Sequence, residues 1–359
     1  MTNPAVTNPA QGAAEPAVQT VVHVFQELLG VAPIDADEDF FELGGHSLLA
    51  QQLIARVNAR LDTRLELAAL FDGQATPARL AGLAVEGMRA PSRALVVLRG
   101  GGAVPVACVP PAGGDLVGFH DLSLALDPSC TMWGFAAPPL PTPDAAQGVA
   151  ELAALYAAET ERPGVDGPLV LLGWSMGGLV AHETARLLAE RGRSVAHLIL
   201  VDTYSADVLP QDDDFGIAEG LAEQIGRLTG RPIDPARLRG RPLDEVLRAA
   251  RAIAADAGVD LVDADWEQLR RSVDLVRAHV RAAREFRPGR FDGPVTLIQA
   301  EQTDAAMRAA AFDVWRSACP GLDRPTVLPG DHFSLFRTPD VYALASVIAA
   351  VAGRQQAYG

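Results

Sequence analysis

The tightest constraint on the fold sits at residues 169–188, LVLLGWSMGGLVAHETARLL. Leu169 to Leu172 form an uninterrupted apolar run, the pattern of a strand buried on both faces. Helical spacing follows from about Gly178. Between the two lies Gly173-Trp-Ser175-Met-Gly177, which fits G-x-S-x-G. A serine at such a strand-to-helix turn occupies strained backbone that lifts its hydroxyl above the sheet, and side chains at the glycine positions would strike the neighbouring strand and helix. A chain built around that turn needs a parallel sheet. The apolar runs LVVL, VPVACV, TMWGF, PLVLLG, AHLILVD, PVTLIQA and PTVLPG alternate with helical stretches across residues 95–352 and supply one. Near-continuously apolar strands between helices predict a mostly parallel sheet covered on both faces.

A serine hydroxyl is a weak nucleophile until a base takes its proton, and the base needs a third group to orient it. The chain has seven histidines. His23 and His46 precede the sheet region, His182 and His197 fall on apolar faces, His279 lies in an arginine-rich helical stretch, and His120 follows an early loop. His332 remains, in VLPGDHFSLF, where a strand ends and a tight loop presents the ring before the last helix. This order resembles that of the α/β-hydrolases, whose triad runs Ser, acid, His along the chain. Two aspartates end candidate strands, Asp202 after HLILV and Asp304 after PVTLIQAEQT; Asp202 is preferred because it follows a buried run directly. The oxyanion of acyl transfer needs two donors. The backbone N–H groups of Met176, next to the serine, and of Ala112, in the VPPAGG loop, are the expected pair.

Residues 1–17, rich in Pro, Asn, Ala and Gly, are expected to form a disordered leader. Apolar residues then repeat at helical spacing over 18–88, in VVHVFQELL, SLLAQQLIARVNARL and ALFDGQATPARLAGLAVEGM, which predicts a small all-α bundle. Residues 89–94 read as a linker and 95–352 as the sheet domain. A stretch of about 205–290, longer than ordinary connections in such folds, reads as a helical lid inserted over the sheet edge.

Composition narrows the function classes. Over 359 residues the formal net charge is −15 and every basic residue is arginine. That balance argues against binding nucleic acid or an anionic membrane, both of which require a basic surface. No apolar run approaches a membrane span and no signal-peptide pattern opens the chain, so a cytoplasmic location is expected. The three cysteines, Cys108, Cys130 and Cys319, lack metal-ligand spacing and are expected to be reduced and mostly buried, with no metal bound.

The stretch DADEDFFELGGHSLLA contains Ser47 with no base or oxyanion donor nearby. It closely resembles the attachment motif of peptidyl carrier domains of nonribosomal peptide synthetases, at Gly44, Gly45, His46, Ser47 and Leu48. The resemblance implies that a phosphopantetheinyl transferase places a covalent 4′-phosphopantetheine on Ser47. Polyketide carriers usually have Asp where this chain has His46. Residues 93–352 resemble the type I thioesterase domain that follows such carriers, through GWSMGG, LILVDTY and GDHF. In that family the acid lies after the strand following the elbow helix, which matches Asp202. The two resemblances together imply a carrier-thioesterase didomain: an α/β-hydrolase fold preceded by a helical carrier. It would take an acyl or peptidyl thioester from upstream synthetase modules onto Ser175 and release it by hydrolysis or cyclisation. The alternatives are an editing thioesterase or a general serine esterase. The chain carries no condensation or adenylation domain, which fits either an excised didomain or a free-standing one.

Overall fold

The computed structural model describes residues 9–45, 47–63, 65, 67–70, 74–85, 94–114, 116–138, 140, 142, 145, 147–161, 165, 167, 169–208, 218, 222, 233–241, 243–256 and 263–356. The chain divides into two compact units. The first is built on residues 1–93 with 224–231 and 249–270, and the second on the rest of 94–359.

The first unit holds helices α1 (Pro9–Leu29), α2 (Ser47–Leu61) and α3 (Pro77–Val85), with a 3-10 turn at Leu67–Leu70. Helix α1 packs against α2 and α3. The core is what the helical spacing predicts: Val21, Val24 and Phe25 from α1 are fully buried, as are Leu53 and Val57 from α2 and Leu80 from α3. Among its described residues there is no strand. Helix α1 starts at Pro9, inside the segment expected to be a disordered leader over 1–17. The buried Ala17, Val21 and Phe25 anchor the helix, and Pro16 lies within it. After α2 the chain makes the 3-10 turn and then α3. That helix starts afresh at Pro77, a residue suited to a first helical position, with the Thr76 hydroxyl accepting from the Arg79 N–H at 3.3 Å.

The second unit is a seven-stranded sheet: β1 (Leu95–Arg99), β2 (Val104–Val109), β3 (Cys130–Phe135), β4 (Leu169–Trp174), β5 (Val195–Val201), β6 (Val295–Ala300) and β7 (Thr326–Leu328). Their order is β1-β3-β2-β4-β5-β6-β7. Every pairing is parallel except β1 with β3. The helices are α4 (His120–Ala125), α5 (Val149–Thr160), α6 (Met176–Glu190), α9 (Ala305–Ala318) and α10 (Val341–Gln356); the β5–β6 connection contributes α7 (Leu243–Asp256) and α8 (Asp263–Glu285), whose residues 249–256 and 263–270 group with the first unit. Of the expected lid stretch of about 205–290, residues 209–217, 219–221, 223–232, 242 and 257–262 lie outside the described residues. This is the α/β-hydrolase fold.

Strand β4 is central and buried at all six positions, which is why it reads as a continuous apolar run. The connection leaving β2 and that leaving β4 go to opposite sides of the sheet, because β3 and β5 lie on opposite flanks. Such a switch point opens a crevice beyond the carboxyl ends of the strands. Residues following β2, β4 and β5 therefore meet there. Aromatic side chains brace the layers: Phe135 stacks on Tyr156 at 4.5 Å, and Trp315 of α9 is fully buried while donating its indole N–H to the Thr203 carbonyl at 2.9 Å. The three cysteines are free and buried. Among the described residues no helix is long and apolar enough to cross a membrane.

Trp315→Ala removes both that packing and the bond that steadies the loop after β5. We expect it to cost about 3–5 kcal/mol, read as a lower urea midpoint of the second unit by circular dichroism.

Candidate active site

The elbow takes the shape that its sequence requires. Ser175 adopts φ 57° and ψ −129°, a left-handed conformation rare for any residue with a Cβ. Two backbone bonds hold it: its N–H donates to the Val201 carbonyl at 2.9 Å, and its carbonyl accepts from Gly178 N–H at 3.0 Å. A side chain at Gly173 would strike the Gly177–Gly178 backbone, and one at Gly177 the carbonyls of Val109 and Pro110; one at Gly178 would reach within 2.6 Å of Thr203 Cγ2. Helix α6 begins at Met176, two residues earlier than its spacing suggested, so the Met176 N–H belongs to its first turn. Contact between Gly177 and the Val109–Pro110 backbone also sets that turn beside the loop carrying Ala112. Gly114 N–H donates to the Pro111 carbonyl at 3.0 Å, and Gly113 and Gly114 have φ of +96° and +68°.

Strand β5 ends one residue short of Asp202, which also has positive φ, 46°. Its carboxylate is fully enclosed. Oδ2 accepts from His332 Nδ1 at 2.6 Å, and Oδ1 accepts from the Tyr204 hydroxyl at 2.6 Å and the Ala300 N–H at 3.0 Å. Burial alone pushes this carboxyl up. The histidine's bond and charge, the amide and the phenol outweigh it and hold the group below its ordinary value. An ionised Asp202 can only accept, so the neutral imidazole carries its proton on Nδ1 and presents a bare Nε2. The His332 loop is clamped by its neighbour in the elbow: Trp174 donates its indole N–H to the His332 carbonyl at 3.1 Å and stacks on Phe336 at 4.3 Å. Strand pairing of Trp174 with Val201 sets Ser175 and Asp202 at adjacent strand ends.

The other sequence candidates separate cleanly. Asp304 caps α9, accepting from Ala306 and Met307 N–H at 2.9 and 3.0 Å, the ordinary occupation of an aspartate there. His182 and His197 are buried, and burial lowers each to about 4. His120 opens α4. Tyr204 and Trp174 were not singled out in the sequence. Their signals were local: a tyrosine two residues after the strand-end acid, and an indole in the variable position of the elbow.

In the first unit Ser47 is the first residue of α2, a 15-residue helix with no acidic side chain in its first turn. The loop before it is pinned by Asp39, whose carboxylate accepts from Phe41 and Ala75 N–H at 2.8 and 2.7 Å. Gly45 lies where a Cβ would enter the Phe40 ring, and Gly44 has φ +95°. His46 lies outside the described residues. A helix N-terminus free of carboxylates suits a serine-linked phosphate, so the residues present fit a phosphopantetheine attachment.

Tyr204→Phe tests the carboxylate cage. Because the Asp202 carboxyl is held below its ordinary 3.8, its stabilisation is present above that pH and is lost as pH falls through the lower folded value. Losing the phenol donor raises the folded value. We expect the variant to be about 1–3 kcal/mol less stable at pH 7, with the deficit shrinking below about pH 4, as measured by urea unfolding at both pH values.

Residues 104–351 match the thioesterase domain family, and residues 19–84 match the phosphopantetheine attachment site. Among curated relatives, CymA of Salinispora arenicola, a probable nonribosomal peptide synthetase, is 26% identical over 96% of this chain and 4% of its own length. Enterobactin synthase component F of Escherichia coli O157:H7 is 33% identical over 51% of this chain and 14% of its own. A crystal structure of a holo four-domain nonribosomal peptide synthetase bound to AMP and glycine superposes with a TM-score of 0.62 at 28% identity, over 98% of this chain and 27% of that one. The chain thus spans only a small part of each of these relatives. The attachment-site match implies a covalent 4′-phosphopantetheine. With the elbow, the strand-end carboxylate and the histidine loop set on this sheet, the chain belongs to the type I thioesterase domain family and carries a peptidyl carrier domain ahead of it.

Proposed function

We propose that the chain releases acyl or peptidyl groups from thioester linkage in nonribosomal peptide biosynthesis, through an acyl-enzyme formed on Ser175. The observation that carries this reading is the 2.6 Å bond from His332 to the enclosed Asp202, at the strand end next to the strained serine turn. Bound to Ser47, phosphopantetheine supplies a terminal thiol on which an acyl group rides as a thioester. A phosphopantetheinyl transferase and upstream synthetase modules are the partners this requires.

In the proposed reaction, His332 Nε2 takes the Ser175 proton as Oγ attacks the acyl carbon. Asp202 fixes the ring tautomer and stabilises the imidazolium that forms. The backbone N–H groups of Ala112 and Met176 receive the oxyanion, which their adjacent turns preorganise. His332 then returns that proton to the departing sulfur as the carbon–sulfur bond breaks, and an ester remains on Ser175. Water, or an amine or hydroxyl of the acyl chain, then attacks the ester while His332 again accepts the proton, and Ser175 is regenerated. The β5–β6 connection, with α7 and α8, serves in this reading as the lid that encloses the acyl group.

Intact-protein mass spectrometry tests both halves. After incubation with coenzyme A and a broad-specificity phosphopantetheinyl transferase, the chain should gain one phosphopantetheine and Ser47→Ala none. With an acyl group loaded, Ser175→Ala should lose it about four to six orders of magnitude more slowly than the natural chain. Acyl release from Ser175→Ala at the natural rate would overturn the proposal.

A further inference from the structure

The loop that carries Ala112 is held from outside the sheet. His279, on α8, is buried, and its Nδ1 accepts from the Gly113 N–H at 3.1 Å. Its Nε2 lies 2.6 Å from Gln147 Oε1, and Gln147 Nε2 donates to the Pro138 carbonyl at 3.0 Å. Only one proton arrangement satisfies all three bonds. The backbone N–H can only donate, so Nδ1 is bare. The ring proton is then on Nε2, and it points at an amide oxygen whose own NH2 is directed to Pro138. A protonated ring would set N–H against N–H, and burial accordingly lowers this histidine to about 4. Val276, three residues earlier on the same helix face, approaches Gly113 so closely that a Cβ there would fall 2.9 Å from its Cγ2. Gly113 thus spends its N–H on α8 and leaves the preceding peptide oriented by that bond.

We propose that His279 is a positioning residue for acyl transfer: its Nδ1 fixes the Ala112–Gly113 peptide, so that the oxyanion loop and α8 are assembled together. The inference rests on the reading of Ser175 and Ala112 given above. It makes the insertion helix part of the catalytic geometry in addition to any role as a cover.

Three substitutions separate this from simple packing. In His279→Asn, Oδ1 takes the place of Nδ1 and can accept from Gly113. In His279→Gln, the amide can still donate to Gln147 but offers no acceptor at the Nδ1 position. His279→Leu offers neither. The full chain is treated with an alkyl fluorophosphonate, which phosphonylates an activated serine with loss of fluoride. Maximal rate and half-saturating concentration are read by intact mass, alongside thermal unfolding. We expect Leu and Gln to lower the maximal rate by about tenfold to a hundredfold, with the half-saturating concentration within about threefold of the natural value. Asn should restore most of the rate. Equal rates in all four proteins would overturn the inference, as would an Asn variant no faster than Leu, or Gln rescuing better than Asn. A natural chain that does not react would remove the serine acyl-transfer reading itself, and the inference with it.

Discussion

The carboxylate of Asp202 is removed from water entirely, and the second unit is arranged to keep it ionised there. Three donors reach it: the imidazole of His332, the phenol of Tyr204 and the main chain of Ala300. They come from the last loop, from the turn after β5 and from the end of β6. Each donor is fixed by a different part of the sheet, so the folded arrangement of β5, β6 and the His332 loop is a condition for burying the charge at all. An unpaired carboxylate in that place would be untenable, and the geometry of the site follows from satisfying it.

Around that charge the backbone is set in conformations that cost energy. Ser175 and Asp202, at the ends of adjacent strands, both have positive φ without being glycine. The strain at Ser175 is sustained by close backbone contacts that only Gly173, Gly177 and Gly178 permit, and by the bond from its N–H to Val201. Trp174 then ties the serine turn to the histidine loop through its indole N–H. The result is a rigid frame at the switch point of the sheet, where preorganised groups contribute most to acyl transfer.

Much of this was legible in residues alone. Each of the seven apolar runs corresponds to a strand, and β2, β4, β5 and β6, buried almost throughout, leave no room for polar alternation. The elbow was legible because its glycines are demanded by contact. Asp202 was separable from Asp304 only by preference in the sequence; the structure separates them by placing Asp304 at the cap of α9. What stayed hidden was whatever depends on two distant segments meeting. Nothing in VRAHVRAA announces that His279 accepts from Gly113, 166 positions earlier. Tyr204 and Trp174 looked like core aromatics, and their polar atoms gained meaning only once their acceptors were placed. Proline and asparagine marked residues 1–17 as irregular, and α1 starts within that stretch, at Pro9.

The central claim is that the buried Asp202 carboxylate activates Ser175 through His332. The most direct measurement compares Asp202→Asn with the natural chain in its reaction with a fluorophosphonate, with the modified residue located by tandem mass spectrometry. The account predicts modification at Ser175 in the natural chain and a rate about four orders of magnitude lower in the variant, because asparagine cannot hold the required tautomer. Equal rates, or modification at another residue, would contradict it.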